Sequence, residues 1–168
     1  SYGYLTGIHA RDKDAVVASM MFAEMVCYFD SVGKRVYDVL QDIYKRFGYY
    51  VEKARSITFG GLDGMQKMAD IMAQIRSTRF EEIDGTKVLA QSDFVTRKKT
   101  YADGKVEDIT LPQTNAFKLH LENGDWICVR PSGTEPKLKF YVATSKPTES
   151  AATSKAEAYL AYMENSVK

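Results

Sequence analysis

The sequence is poor in the residues that mark several protein classes. Its 168 residues include two cysteines, four prolines, two histidines and one tryptophan. The cysteines, Cys27 and Cys128, lie far apart in apolar runs. That excludes a disulfide framework or a zinc-finger spacing, and both read as reduced core residues. Neither charge sign dominates: 23 Lys+Arg against 22 Asp+Glu leave a net charge of +1. A coat for nucleic acid or acidic membranes is not expected from that balance. Long apolar runs are missing as well. The longest, Ala15 to Phe29, contains Ser19 and Glu24 and is about 15 residues, whereas a spanning helix needs roughly 20. There is no basic leader with a small-residue cleavage pattern, no internal repeat and no low-complexity tract. A cytoplasmic globular protein is expected, with 45% hydrophobic and 27% charged residues.

What is present divides into two parts. Asp12 or Asp14 can cap a first helix that runs to about Val32, with Gly33 as its stop. Its apolar residues nearly encircle it, which predicts burial on several sides. Val36, Val39, Leu40, Ile43 and Phe47 mark a second helix ending at Gly48. Two such helices need further cover, so this part reads as the remainder of a larger domain. Tyr49 to Phe59 is a strand or extended connector, and Gly60-Gly61 places the boundary. Asp63 with Gln66 predicts a capping-box start to a third helix. Strands then follow at Thr86 to Phe94, Ala116 to Glu122, Asp125 to Arg130 and Leu138 to Thr144. A closing helix covers about Glu149 to Asn165. The second part is therefore an α+β sandwich, an antiparallel sheet with helices on one face.

Asn123-Gly124 is a preferred pair for a two-residue type I′ turn. That turn sets Leu121 against Trp126, Leu119 against Cys128 and Phe117 against Arg130. Trp126 and Cys128 then lie in the core, with Arg130 emerging at the end of the same face. An RNA reader carries exposed aromatics beside basic residues on an open sheet face, so this register argues against RNA.

The chemistry concentrates in Arg130-Pro131-Ser132-Gly133-Thr134-Glu135-Pro136. Arg130 offers a planar fork of donors suited to phosphate. Ser132 and Thr134 add hydroxyls. Gly133 allows successive N–H groups to converge on an anion, and the prolines stiffen both ends. Glu135 reads as a turn residue paired with Lys137 or Lys139. His120 reads as structural or surface. A plain connecting loop is the competing reading of the same segment.

Arg130 to Lys137 resembles the phosphate-binding loop of the α-D-phosphohexomutase family, the phosphoglucomutases and phosphomannomutases. Ser1-Tyr2-Gly3 resembles the end of that family's Gly-x-Glu-x-Ser-x-Gly sugar motif. His9 to Ala15 resembles its His-x-Arg-(Glu/Asp)-Lys-Asp-Gly stretch. The resemblance covers essentially the whole chain. It implies a four-domain enzyme, with residues 1–60 the end of the third domain and 61–168 the fourth. The fourth has a TATA-binding-protein-like fold. The family moves a phosphoryl group between carbons 1 and 6 of a hexose, using a phosphoserine, Mg²⁺ and a hexose 1,6-bisphosphate. No Thr-Ala-Ser-His-Asn-Pro-like serine loop or Asp-x-Asp-x-Asp run occurs here, so the resemblance implies that this chain alone is inactive and binds no metal.

By the same resemblance, Arg130, Ser132, Gly133 and Thr134 hold the non-reacting substrate phosphate, and Lys13 approaches the substrate. Arg11, His9 and Ser1 are further substrate contacts. The implied partners are hexose phosphate and the remaining mutase domains, with no nucleic acid and no membrane. The alternatives are a stand-alone module for a phosphorylated ligand or RNA, and a purely structural α+β domain.

Overall fold

The computed structural model describes residues 4–8 and 11–167. The chain folds as two compact units, Ser1–Phe47 and Gly48–Lys168.

The first unit holds helices α1 (Ala15–Ser31) and α2 (Val36–Phe47). Asp14 caps α1, its carboxylate accepting from the amides of Val16 and Val17. Gly33, at φ 71°, ends it. The encircling apolar residues predict burial, yet neither helix has a buried residue. Met20, Phe22, Tyr28 and Ile43 are exposed, and so is Cys27. No single described helix is long and apolar enough to cross a membrane; α1 and α2 reach that threshold only together, bent by 88°.

The second unit begins at Gly48, upstream of Gly60-Gly61. The cause is β1 (Tyr49–Thr58), which pairs along its whole length with the last strand. The elements that follow are α3 (Gly64–Ser77), β2 (Glu82–Ile83), β3 (Thr86–Asp93), β4 (Lys98–Tyr101), β5 (Val106–Asp108), β6 (Phe117–Leu121), β7 (Trp126–Pro131), β8 (Lys137–Lys146) and α4 (Glu149–Asn165). The antiparallel sheet has the order β1-β8-β7-β6-β3-β4-β5, with β2 beside β3. This bears out the α+β class. Helices α3 and α4 cover one face, where Met68, Met72, Tyr159 and Leu160 pack on Leu119, Ile127, Val129, Leu138 and Phe140. The capping box at Asp63 does not form: its side chain makes no cap bond and instead pairs with Lys67 at 2.8 Å.

The β6–β7 hairpin departs from the expected register. Type I′ requires left-handed φ at both turn residues, but only Gly124 has it, at 82°. The Gly124 amide donates to Leu121 O and the Leu121 amide to Asp125 O, closing a three-residue loop. Asn123 Oδ1 accepts from the Asp125 amide at 3.0 Å, which pins that loop. The pairs are therefore Phe117 with Val129, Lys118 with Cys128, Leu119 with Ile127, and His120 with Trp126. A slip of one residue sends a strand's side chains to opposite faces. Ile127 and Val129 are in the core. Trp126 and Cys128 are not; they stand half-buried on the open face with Arg130.

Candidate functional site

Arg130 is exposed near the end of β7, beside Lys139 on β8. Both lie on the open face, since Val129 and Phe140, one residue back or forward, fill the core. Neither has a carboxylate within 4 Å among the described residues, unlike the cations Lys53, Arg55, Lys146 and Lys155, which are all ion-paired.

The loop beyond Arg130 is short and held at its base. Pro131 is buried in β7. The Ser132 amide donates to Lys137 O at 2.8 Å, and the Lys137 amide to Glu135 O at 2.7 Å, forming a turn centred on Pro136. Pro136 O in turn accepts from the Phe59 amide at 2.8 Å. Gly64 packs against this base: a Cβ there would meet Phe59 O at 2.4 Å and Pro136 Cβ at 3.0 Å. Any larger residue would push the loop, so Gly64 is a supporting position that the sequence pattern does not announce.

The loop's polar groups are only partly used internally. The Thr134 amide donates to Ser132 Oγ at 3.4 Å, and among the described residues the amides of Gly133 and Glu135 have no acceptor. Glu135 pairs with Lys137 at 2.8 Å, and that hydrogen bond holds its carboxyl below the usual range. Gly133 lies outside the left-handed region, and a Cβ there meets nothing within 4 Å. Its backbone therefore does not demand glycine, against the expected nest.

The other candidates fall elsewhere. Ser1 and His9 lie outside the described residues. Arg11 and Lys13 belong to the first unit, and both are exposed. Lys13 pairs with Asp12 at 3.2 Å and borders a cleft of about 500 Å³ with Tyr4 and Phe22. The Lys13 amide, donating to Asp12, keeps that carboxyl below its usual value.

Beside Arg130 the open face forms a groove of about 380 Å³. Phe94, Lys118, Trp126, Cys128 and Tyr141 line it with Arg130. Burial pushes the Cys128 thiol up, away from the reactive thiolate. His120 adjoins Trp126, its Nε2 2.9 Å from Ser92 Oγ. A two-residue turn conceals this groove from the sequence pattern. With the three-residue loop, alternation along β7 puts Trp126, Cys128 and Arg130 on one face.

Residues 63–161 match the model of the family described as phosphoglucomutase/phosphomannomutase, C-terminal domain. A phosphoglucomutase of Staphylococcus epidermidis is 41% identical over 146 residues, covering 86% of this chain and 27% of that protein. Another, from Staphylococcus haemolyticus, is 38% identical over 144 residues, or 85% and 26%. The chain thus spans about a quarter of the length of these curated relatives. The crystal structure of the exocytosis-sensitive phosphoprotein pp63/parafusin, a phosphoglucomutase from Paramecium in its open form, aligns over 93% of this chain and 28% of that one. Its TM-score is 0.56 at 14% identity, a likeness of fold.

Proposed function

This chain belongs to the phosphoglucomutase/phosphomannomutase family, and we propose that it is the C-terminal part of a mutase interconverting hexose 1-phosphate and hexose 6-phosphate. In this reading residues 1–60 are the end of the third domain and residues 61–168 are the fourth. Arg130, Ser132, Gly133 and Thr134 hold the phosphate that is not reacting. The observation that carries the reading is Arg130, an exposed guanidinium without a carboxylate partner among the described residues, at the mouth of a loop clamped by Pro131, Pro136 and Gly64.

Each group has a part. Arg130 donates two parallel hydrogen bonds to the phosphate, and Lys139 adds charge beside it. The free amides of Gly133 and Glu135 and the two hydroxyls complete the donor set. Glu135 is compensated by Lys137. Lys13, with Arg11, His9 and Ser1, is the proposed substrate contact from the first unit's sequence.

Phosphoryl transfer also needs a nucleophile and charge neutralisation, usually by a metal. We assign Mg²⁺, the phosphoserine and the work with the 1,6-bisphosphate to the rest of the parent chain. Positioning one end of the sugar is the role left here, in a cytoplasmic enzyme.

Arg130→Ala in the full-length parent should weaken substrate use by about 10- to 150-fold, as expected for about 1.5–3 kcal/mol from a charged hydrogen bond. The loss should fall mainly in KM, because the held phosphate is remote from the reacting one. Arg130→Lys should restore part of it. Glucose 6-phosphate titrated into the 168-residue chain should shift the Gly133 and Thr134 amides without turnover. Shifts confined to other amides, or measurable mutase activity of the chain alone, would refute the assignment.

A further inference from the structure

The open sheet face carries charge that the protein does not use. Lys99, Lys118, Arg130 and Lys139 share this face, and none has a carboxylate within 4 Å among the described residues. Lys118 rests its ammonium on the Trp126 ring, 4.5 Å from the centroid. An unpaired cation held over a half-buried indole has a ready partner in an anionic ligand that also brings a ring.

The groove limits what that ligand can be. Its volume is about 380 Å³, at the small end of single-ligand sites. Tyr101 is closed off, since its hydroxyl donates to Glu107 at 2.7 Å and Lys99 covers its ring. His120 is occupied with Ser92. Trp126 and Tyr141 are the aromatic groups left to the groove beside Phe94, which is room for one ring and not for a run of bases. Trp126 and Arg130 stand four residues apart on β7, about 14 Å along the strand at about 3.4 Å per residue. A nucleoside 5′-phosphate has a phosphate at one end and a planar ring at the other, as this groove has Arg130 at one end and the Trp126 indole at the other.

We propose that this groove binds a nucleoside 5′-phosphate, its base against Trp126 and its phosphate at Arg130. The base takes the place of the Lys118 ammonium on the indole, and Lys118 turns to the phosphate. The proposal rests on the phosphate reading of the Arg130 loop. It makes nucleotide and hexose phosphate competitors for that loop, a means of regulating the mutase.

Trp126 is the one tryptophan in the chain, so its fluorescence reports on this groove. The 168-residue chain is titrated with AMP, ribose 5-phosphate, inorganic phosphate and an oligoadenylate. AMP should quench Trp126 saturably and bind on the order of tenfold more tightly than ribose 5-phosphate, the contribution of one stacked base. Lys118→Ala, a surface change that leaves the core intact, should reduce AMP binding several-fold. Trp126→Leu should bring AMP down to ribose 5-phosphate, with binding then followed by the amide shifts. AMP and ribose 5-phosphate binding equally, or the oligonucleotide binding where AMP does not, would overturn the proposal while leaving the phosphate loop standing. If inorganic phosphate and ribose 5-phosphate also leave the Gly133 and Thr134 amides unmoved, the phosphate loop falls with it.

Discussion

His120 and Trp126 are cross-strand neighbours on the open face, and their surroundings decide the ionisation of the histidine. Burial, aided by the charges of Lys118 and Lys99, lowers its pKa from 6.5 to about 4. The folded protein therefore carries neutral His120 through the mildly acidic range, while the unfolded chain takes up a proton below pH 6.5. With the folded pKa depressed, its contribution is present above pH 6.5 and lost as pH falls towards 4. A shift of this size corresponds to about 3 kcal/mol, which the side chain's partial exposure reduces to about 1–2 kcal/mol. Thermal melts should show stability falling between about pH 6.5 and 5, above the range where ordinary carboxylates titrate. His120→Gln should flatten that window; an unchanged slope would show that His120 titrates normally.

The β6–β7 hairpin shows what an element's sequence does and does not reveal. Strand positions and the Asn123-Gly124 turn are legible, because alternation and turn chemistry are local. The register is not, since Asn-Gly suits both a two-residue and a three-residue loop. The choice depends on Asp125, buried among partners far off in sequence. Its carboxylate accepts from the Ser145 amide at 3.0 Å, Lys146 Nζ at 2.8 Å and Asn123 Nδ2 at 2.7 Å, and lies 3.1 Å from the Tyr159 hydroxyl. The Arg130 loop is readable because its groups are contiguous; the groove is not, because its walls come from several strands in that register. Asp125→Ala leaves Lys146 without its counter-charge and the hairpin without its anchor. A loss of about 3–5 kcal/mol is expected, seen as a lower urea midpoint, with Asp125→Asn in between. A change below about 0.5 kcal/mol would mean that Asn123 and Gly124 hold the register unaided.

At the scale of the molecule, the glycine pair at residues 60–61 looks like a boundary because it interrupts the chain, yet the compact unit reaches back across it. Val51 and Ile57 of β1 pack against the core under α3 and α4. Lys53 and Arg55, on the same face, pair with Glu157 and Glu164 of α4, the Arg55–Glu164 contact at 2.9 Å. Strand β1 thus joins the sheet edge to the closing helix, two elements about a hundred residues away in sequence. A chain of residues 61–168 would leave β8 as an unpaired edge, with Leu138 and Phe140 less covered and two α4 carboxylates unmatched, a surface prone to intermolecular pairing. The chain Gly48–Lys168 keeps all of these contacts. It should melt in one cooperative transition at a higher temperature than 61–168, and stay monomeric where the shorter chain associates. Calorimetry with light scattering on both decides the matter: equal melting temperatures and equal monodispersity would return β1 to the role of a connector and the boundary to Gly60-Gly61.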